Sequence, residues 1–293
     1  MNCKILTYSL MVAVLAFAAC GDKEYTVNMG DETQQQPTSP ARPLVTDLEA
    51  IAVPGKDVTF NMVLVRSGSF TMGGVDANAP EHQVTLTHNF YIGQTEVTQA
   101  LYRAVMDTSV SEFNYGDDYP VDNVSYDDAL EFCQRLRRLT GYRFELPTEA
   151  QWEYAAQGGH RAPSSRTAYS GSDNIGNVGW YWDNSPHYQT ENPVTHEPFT
   201  IRHTSAVRGK QANALGLYDM TGNVREWCAD YYSALGTQAV TDPECQHSDG
   251  LGRVYRGGSC NDSAQYCHVA HREGLSSSSK SYNIGFRVAI TMD

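Results

Sequence analysis

Residues 213–227 read Asn213-Ala-Leu-Gly-Leu-Tyr-Asp-Met-Thr-Gly-Asn-Val-Arg-Glu-Trp227. A short apolar start leads into a loop, residues 219–226, that combines glycine and asparagine with two carboxylates. Calcium takes six to eight hard oxygen ligands, in which carboxylates are mixed with backbone carbonyl groups. The loop is therefore compatible with a calcium site, and also with a turn ordered by Asn223 whose carboxylates face solvent.

The sequence before this segment predicts three helices. Residues 125–128 and 148–151 each begin with Ser or Thr and end in an acidic or amide residue, which is the capping-box spacing at a helix start. After the first of these, apolar residues including Cys133 recur at helical spacing, and Gly141 ends the helix. A further helix is predicted over residues 98–105.

Strands are predicted on the N-terminal side of these helices. Residues 62–73 form two apolar runs around a turn, residues 84–87 alternate with period two, and residues 90–92 form another run. After Gly158 the chain is rich in glycine, asparagine, serine and aromatic residues, with few long periodic stretches. Such a loop-rich half needs metal ions or disulfide bridges to order it. Because large aromatic side chains are usually buried, all four tryptophans are predicted in the core. They are Trp152, Trp180, Trp182 and Trp227.

Several segments, in the same order and at similar spacing, resemble the formylglycine-generating enzyme (sulfatase-modifying factor) family. They are residues 62–73, 90–98, 120–129, 146–156, 213–227, 256–259 and 285–289. The resemblance covers roughly residues 60–291. It implies an α+β domain of the formylglycine-generating-enzyme fold, related to the C-type lectin fold, with little regular secondary structure and bound calcium.

The resemblance also implies where calcium would bind. One site would use two side chains and two backbone carbonyl groups. Asp219 and Glu226 would supply the side-chain oxygens, and Gly222 and Val224 would supply the carbonyl oxygens. A second site is suggested near Asn177 and Val178, in a region that aligns poorly.

Family members that make formylglycine hold copper between two cysteines five residues apart, after the Gly-Gly-Ser turn. In this chain Cys267 falls on the second of these positions and Asp262 on the first. A carboxylate is a hard ligand that substitutes poorly for a thiolate on Cu(I), so the diagnostic pair is broken. Because Cys260 lies in the same loop, a shift of this loop could bring the sulfurs of Cys260 and Cys267 onto one copper ion. Cys267 and Cys260 are therefore the candidate catalytic residues. A disulfide or two buried thiols is the more economical interpretation, and Cys228 is another candidate partner of Cys267.

The N-terminus resembles that of a bacterial lipoprotein. Residues 10–19 form an unbroken apolar run that is too short to span a bilayer. The run ends in Ala18-Ala19-Cys20-Gly21, which resembles a lipobox, so Cys20 is predicted to carry the lipid. An ordinary secretory signal cleaved near Cys20 is the alternative.

These observations predict three parts of the chain. Residues 1–19 are a lipoprotein signal peptide, residues 20–44 a flexible linker rich in proline and polar residues, and residues 45–293 the folded domain. The predicted location is the bacterial cell envelope, with the protein anchored by lipid, in the outer membrane.

The net charge of the chain limits the classes of partner that it can bind. The formal charge of −13 excludes nucleic acid, because the chain lacks an excess of lysine and arginine to neutralise phosphates. The predicted partners are the membrane, through the lipid anchor, and an envelope protein, peptide or glycan.

Three functions are compatible with the sequence. The broken cysteine pair favours a non-oxidase binding or assembly module, with calcium as its expected cofactor. The alternative is a copper-dependent formylglycine-generating oxidase that acts on a sulfatase cysteine. A different oxidoreductase or a hydrolase on the same scaffold is the third hypothesis, because a fold does not determine function.

Overall fold

The helices begin at the caps that the sequence predicts. Thr98 accepts a hydrogen bond from the Leu101 backbone N–H, and both capping boxes, at Ser125 and at Thr148, are complete. The second helix ends at Gly141, whose φ of 81° is left-handed. The helices are α1 (Gln99–Met106), α2 (Tyr126–Thr140), α3 (Glu149–Ala156) and α4 (Ile175–Val178), with 3₁₀ turns at Gly159–Arg161 and Ala264–Cys267.

The computed structural model describes residues 44–74, 79–191 and 196–292. The predicted signal peptide, the predicted lipidation site Cys20 and most of the predicted linker lie outside these residues. Among the residues that the structure describes, none of the helices has the length and the apolar sequence that a bilayer-spanning segment needs.

The strands are short, as the sequence after Gly158 indicates. In the first half they are β1 (Leu48–Ala52), β2 (Thr59–Val65), β3 (Gly68–Met72), β4 (His82–Leu86) and β5 (Phe90–Gly93). In the second half they are β6 (His187–Glu191), β7 (Pro198–Arg202), β8 (Arg225–Tyr231), β9 (Val240–Thr241), β10 (Arg253–Arg256), β11 (Arg272–Leu275), β12 (Ile284–Gly285) and β13 (Ala289–Thr291).

These strands form four small sheets. One sheet has the antiparallel order β1-β2-β5-β13, and the sheet that carries the candidate site has the order β11-β10-β8-β12, in which β12 runs parallel to β8. The third has the order β3-β4-β9, and β6 and β7 form a hairpin. Many short strands joined by long loops, with few helices, make this an α+β fold, as predicted.

Two apolar clusters hold the sheets and helices together. In one, α1 and α2 pack on the first sheet, with Phe132 between Tyr102 and Phe286. In the other, α3 packs through Trp152 on residues of β2, β3 and β8. Burial of such large side chains supplies most of the driving force for folding.

The prediction that all four tryptophans are core residues is wrong for two of them. Trp152 and Trp227 are fully buried, whereas Trp180 is partly exposed and Trp182 is 40% exposed. Arg202 covers one face of the Trp182 ring, with its guanidinium carbon 3.4 Å from the ring centroid. A cation–π contact of this kind lets a large ring stay at the surface.

Candidate functional site

The candidate site is built on the turn that follows β10. Gly257 and Gly258 have φ angles of 89° and 67°, a region that glycine enters without steric cost. A Cβ atom on Gly258 would lie 2.5 Å from Cys267 Sγ. The turn therefore packs directly against Cys267, and a larger residue at position 258 does not fit.

Asp262, which the resemblance aligns with the first family cysteine, is held in an ion pair. Its two carboxylate oxygens accept hydrogen bonds from Arg225 Nε at 2.8 Å and Nη2 at 2.6 Å. The Ser259 hydroxyl donates a third hydrogen bond to Asp262 Oδ2 at 2.7 Å. A bidentate pair of this type is strong and directional. The position therefore holds an anion that already has its counter-ion.

The two sulfurs of this loop are buried thiols. Cys260 and Cys267 are each 0% exposed, and both are free. Burial, reinforced by the Asp262 carboxylate, raises the pKa of Cys267 to about 12. The same two causes, in the same order, raise the pKa of Cys260 far above its ordinary value. Both side chains are therefore protonated at neutral pH.

This donor set fits a two-thiolate copper site poorly. Metal binds the thiolate form of cysteine, and the thiolates of this loop would have to form in an apolar setting beside a carboxylate. Asp262 cannot replace the missing sulfur, because its oxygens face Arg225 and a hard oxygen is a weak ligand for Cu(I).

In the loop predicted to bind calcium, Glu226 has other partners. Its carboxylate accepts hydrogen bonds from Arg287 Nε at 2.6 Å and Nη2 at 2.7 Å. Trp152 Nε1 also donates to it, at 2.6 Å, and all three side chains are fully buried. A buried guanidinium at this distance opposes the approach of a second cation.

Asp219 lies in a polar group on the other side of the same loop. Its Oδ2 accepts the Arg208 backbone N–H at 2.7 Å, whereas its Oδ1 is buried with no hydrogen-bond partner among the described residues. Burial raises the pKa of Asp219 to about 6. Asn223, in the same loop, donates from its amide to Glu96 Oε2 at 2.8 Å.

These residues fit a calcium ion in part. Asp219 offers a buried oxygen without a partner, but both oxygens of Glu226 are taken by Arg287. The described residues contain no group of three or more His, Cys, Asp or Glu side chains placed to hold a metal ion. Calcium at Asp219, Gly222, Val224 and Glu226 stays a prediction.

The second suggested calcium site falls on α4. Asn177 is exposed, and its backbone carbonyl accepts the Gln211 N–H at 3.0 Å. Val178 is buried. Nothing in this geometry tests the assignment, which also stays a prediction.

The family described as "Sulfatase-modifying factor enzyme 1-like domain" matches residues 51–292. The chain belongs to this family. The predicted recognition and fold are therefore confirmed.

Named relatives of this sulfatase-modifying-factor-like chain differ in activity. It is 34% identical to the chaperone protein LppX of Paenibacillus barcinonensis over 64% of this chain and 78% of that protein. It is 36% identical to the formylglycine-generating enzyme of Streptomyces coelicolor over 60% of this chain, but spans 54% of that enzyme. Among solved structures, Treponema denticola variable protein 1 superposes with a TM-score of 0.72 and 28% identity. That match covers 85% of this chain and all of the other.

In this family member, sequence reasoning missed the charged partners. Arg225, Arg287 and Glu96 all lie inside or next to segments that carry the resemblance, yet their pairings join residues far apart in the chain. One signal was available. Arg287 interrupts an apolar C-terminal segment, and a buried arginine needs an anion.

The sulfatase-modifying-factor-like domain also carries a set of aromatic side chains next to residues 259–267, which we call the sulfur loop, and all of the set except the buried Phe113 are at least partly exposed. We call Phe113, Tyr115, Tyr119, His203 and Tyr282 the aromatic surface. Their rings form a continuous set of contacts, with centroids 4.4 to 5.8 Å apart. Burial, followed by charge effects from the sulfur loop that include the Asp262 carboxylate, raises the pKa of Tyr282, which relates this surface to the loop.

Proposed function

We propose that the chain is a lipid-anchored protein of the bacterial cell envelope whose domain binds another polypeptide and does not oxidise cysteine. The observation that carries the proposal is the ion pair between Asp262 and Arg225 at the position of the first family cysteine. Without a second aligned thiolate, the loop lacks the soft ligand pair on which copper chemistry depends.

Two further observations support a binding role. One is the similarity to a protein named as a chaperone, of which the match covers 78%. The other is the aromatic surface, in which Tyr115 is 48% exposed. Aromatic residues are enriched in protein interfaces, because they bury much area and still offer a polar group.

A direct assay separates this proposal from the oxidase. The purified domain is loaded with Cu(I) and incubated with a cysteine-containing sulfatase peptide, and the peptide is analysed by mass spectrometry. An active formylglycine-generating enzyme serves as the positive control. We expect no aldehyde on the peptide, and its appearance would contradict the proposal.

The oxidase alternative requires Cys260 and Cys267 to bind one copper ion. It predicts stoichiometric Cu(I) binding that is lost in Cys267→Ser and kept in the matched control Cys245→Ser, because Cys245 lies outside the sulfur loop. A different oxidoreductase on the same scaffold stays a prediction.

Suppression of aggregation tests the binding role. A chemically unfolded secreted protein is diluted into buffer with or without the domain, and light scattering is followed. Tyr115→Ala should weaken suppression, whereas Tyr266→Ala, which removes a tyrosine exposed to 40% outside the aromatic surface, should not. Full suppression by both variants would exclude the aromatic surface as the binding face.

The proposed anchor and the proposed calcium ion have separate tests. Labelled palmitate should enter the wild-type chain in bacterial cells and be absent from Cys20→Ser, which should also leave the membrane fraction. Calcium analysis of the purified domain, before and after chelation, should give one tightly bound ion that is lost in Asp219→Ala. Calcium-free protein with unchanged stability would contradict this second proposal.

A further inference from the structure

A cleft of about 610 Å³ lies between α2, the segment that joins α2 to α3, and residues 242–246. Strands β8 and β10 form its floor. Its volume is in the range of ligand-binding clefts. Cys260, Asp262 and Cys267 do not line it, and neither do the residues of the aromatic surface. The cleft is therefore separate from the candidate site described above.

The guanidinium on the floor of the cleft is held by three contacts. The guanidinium carbon of Arg253 lies 4.3 Å from the ring centroid of Tyr126 and 3.4 Å from that of Tyr231. Arg253 Nη1 also donates to the Ala229 carbonyl at 2.7 Å. The single guanidinium of the lining is thus engaged by two aromatic faces and a backbone carbonyl.

Three carboxylates line the walls. Asp242 accepts hydrogen bonds from Thr87, and one oxygen of Glu145 accepts the Thr291 hydroxyl at 2.7 Å. Glu244 lies exposed on the outer segment. With Arg253 as the single lining guanidinium, the lining carries a net negative charge. The lining also contains apolar side chains, of which Leu130 and Pro243 are partly exposed and Leu86 and Leu146 are buried.

We propose that this cleft binds an extended segment of a partner polypeptide that alternates basic and apolar residues. Lysine or arginine side chains would pair with Glu145 and Glu244, while neighbouring apolar side chains would pack on Leu130 and Pro243. Charge complementarity favours a cationic segment, and the apolar lining favours a peptide over a small cation. The inference rests on the proposed binding function and adds a site and a class of segment to it.

Fluorescence polarisation tests the inference with two labelled decapeptides, one of alternating lysine and leucine and one of alternating glutamate and leucine. We expect the full-length chain to bind the lysine peptide and not the glutamate peptide. The double variant Glu145→Gln/Glu244→Gln should bind the lysine peptide about five- to tenfold more weakly, as the loss of two partly exposed ion pairs predicts.

The matched control is Asp57→Asn/Glu191→Gln, which makes the same change in net charge at exposed positions outside the cleft. We expect its affinity to equal that of the wild type. Equal weakening in both double variants, or none in the cleft variant, overturns the inference. If Tyr115→Ala alone weakens binding, the peptide binds the aromatic surface, which overturns the cleft assignment and leaves the proposed function intact. No peptide binding, together with aldehyde formation on the sulfatase peptide, would instead overturn the proposed function.

Discussion

Glu226 and Arg287 form a fully buried pair in which both carboxylate oxygens face the guanidinium. Trp152 and the backbone carbonyls of Gly93 and Tyr218 complete their hydrogen bonds. Because each charge has lost its hydration, removal of one partner leaves the other in an apolar setting. This single pair connects α3, β5, β8 and the C-terminal segment.

Glu226→Gln should therefore lower the free energy of unfolding by about 3 kcal/mol, as measured by urea denaturation. The control is Glu131→Gln, which breaks the exposed pair with Arg135 on α2 and should cost less than about 1 kcal/mol. A Glu226→Gln variant as stable as the control would contradict the expected cost of leaving the Arg287 guanidinium buried without its anion.

Thiol reactivity is a second property of single residues. Cys245 is partly exposed, whereas the other four cysteines of the described residues are buried. A thiol reagent at pH 8 should therefore label Cys245 first, and label Cys260 and Cys267 at the rate of unfolding. Peptide mapping by mass spectrometry identifies the labelled sites. Rapid labelling of Cys267 in the folded protein would contradict the protonated, buried state.

At the scale of a secondary-structure element, the stability of each helix depends on its capping residues. In α2 the Ser125 hydroxyl accepts a hydrogen bond from the Asp128 N–H, and the Asp128 carboxylate accepts one from the Ser125 N–H. This reciprocal arrangement satisfies two N–H groups that the helix cannot satisfy itself.

Ser125→Ala should cost about 1 kcal/mol of stability. Ser263 provides a matched control, because it occupies the same position before the 3₁₀ turn Ala264–Cys267 but makes no side-chain capping hydrogen bond. Ser263→Ala should leave the urea midpoint unchanged. An equal loss in the two variants would mean that the hydroxyl matters for another reason.

The contrast between these elements and the loops explains what the sequence could predict. Caps and helical periodicity act within a few residues, so α1, α2 and α3 follow from the sequence. The pairs Arg225–Asp262 and Glu226–Arg287 join residues 37 and 61 positions apart, and no local pattern reveals them. The surface position of Trp182 could not be predicted for the same reason, because the side chain that covers its ring, Arg202, lies 20 residues later on β7.

At the scale of the whole molecule, buried acids control the pH dependence of stability. Burial raises the pKa of Asp122 and of Asp230 to about 7. The folded state then binds more protons than the unfolded state between about pH 4 and pH 7, so stability falls as pH rises through this range. In the opposite sense, the nearby His271 ring and a hydrogen bond from the Tyr255 hydroxyl lower the pKa of Glu273 to about 2, and that contribution is lost as pH falls below about 4.

Wild-type protein should therefore be more stable at pH 5.5 than at pH 8. Asp122→Asn keeps an acceptor for the Glu112 N–H and removes the titration, so it should reduce this difference by on the order of 2 kcal/mol. Chemical denaturation at both pH values gives the comparison, with the exposed Asp57→Asn as control. Parallel pH profiles for the wild type and Asp122→Asn would rule out this role.

The Arg225–Asp262 pair has an evolutionary consequence. Replacing Asp262 by cysteine alone would restore the spacing of an oxidase but leave Arg225, which is largely buried, without an anion. The intermediate would be destabilised before it gained any catalytic benefit. A cysteine at position 262 would therefore be tolerated only together with a second substitution at position 225, so the two positions are expected to change together.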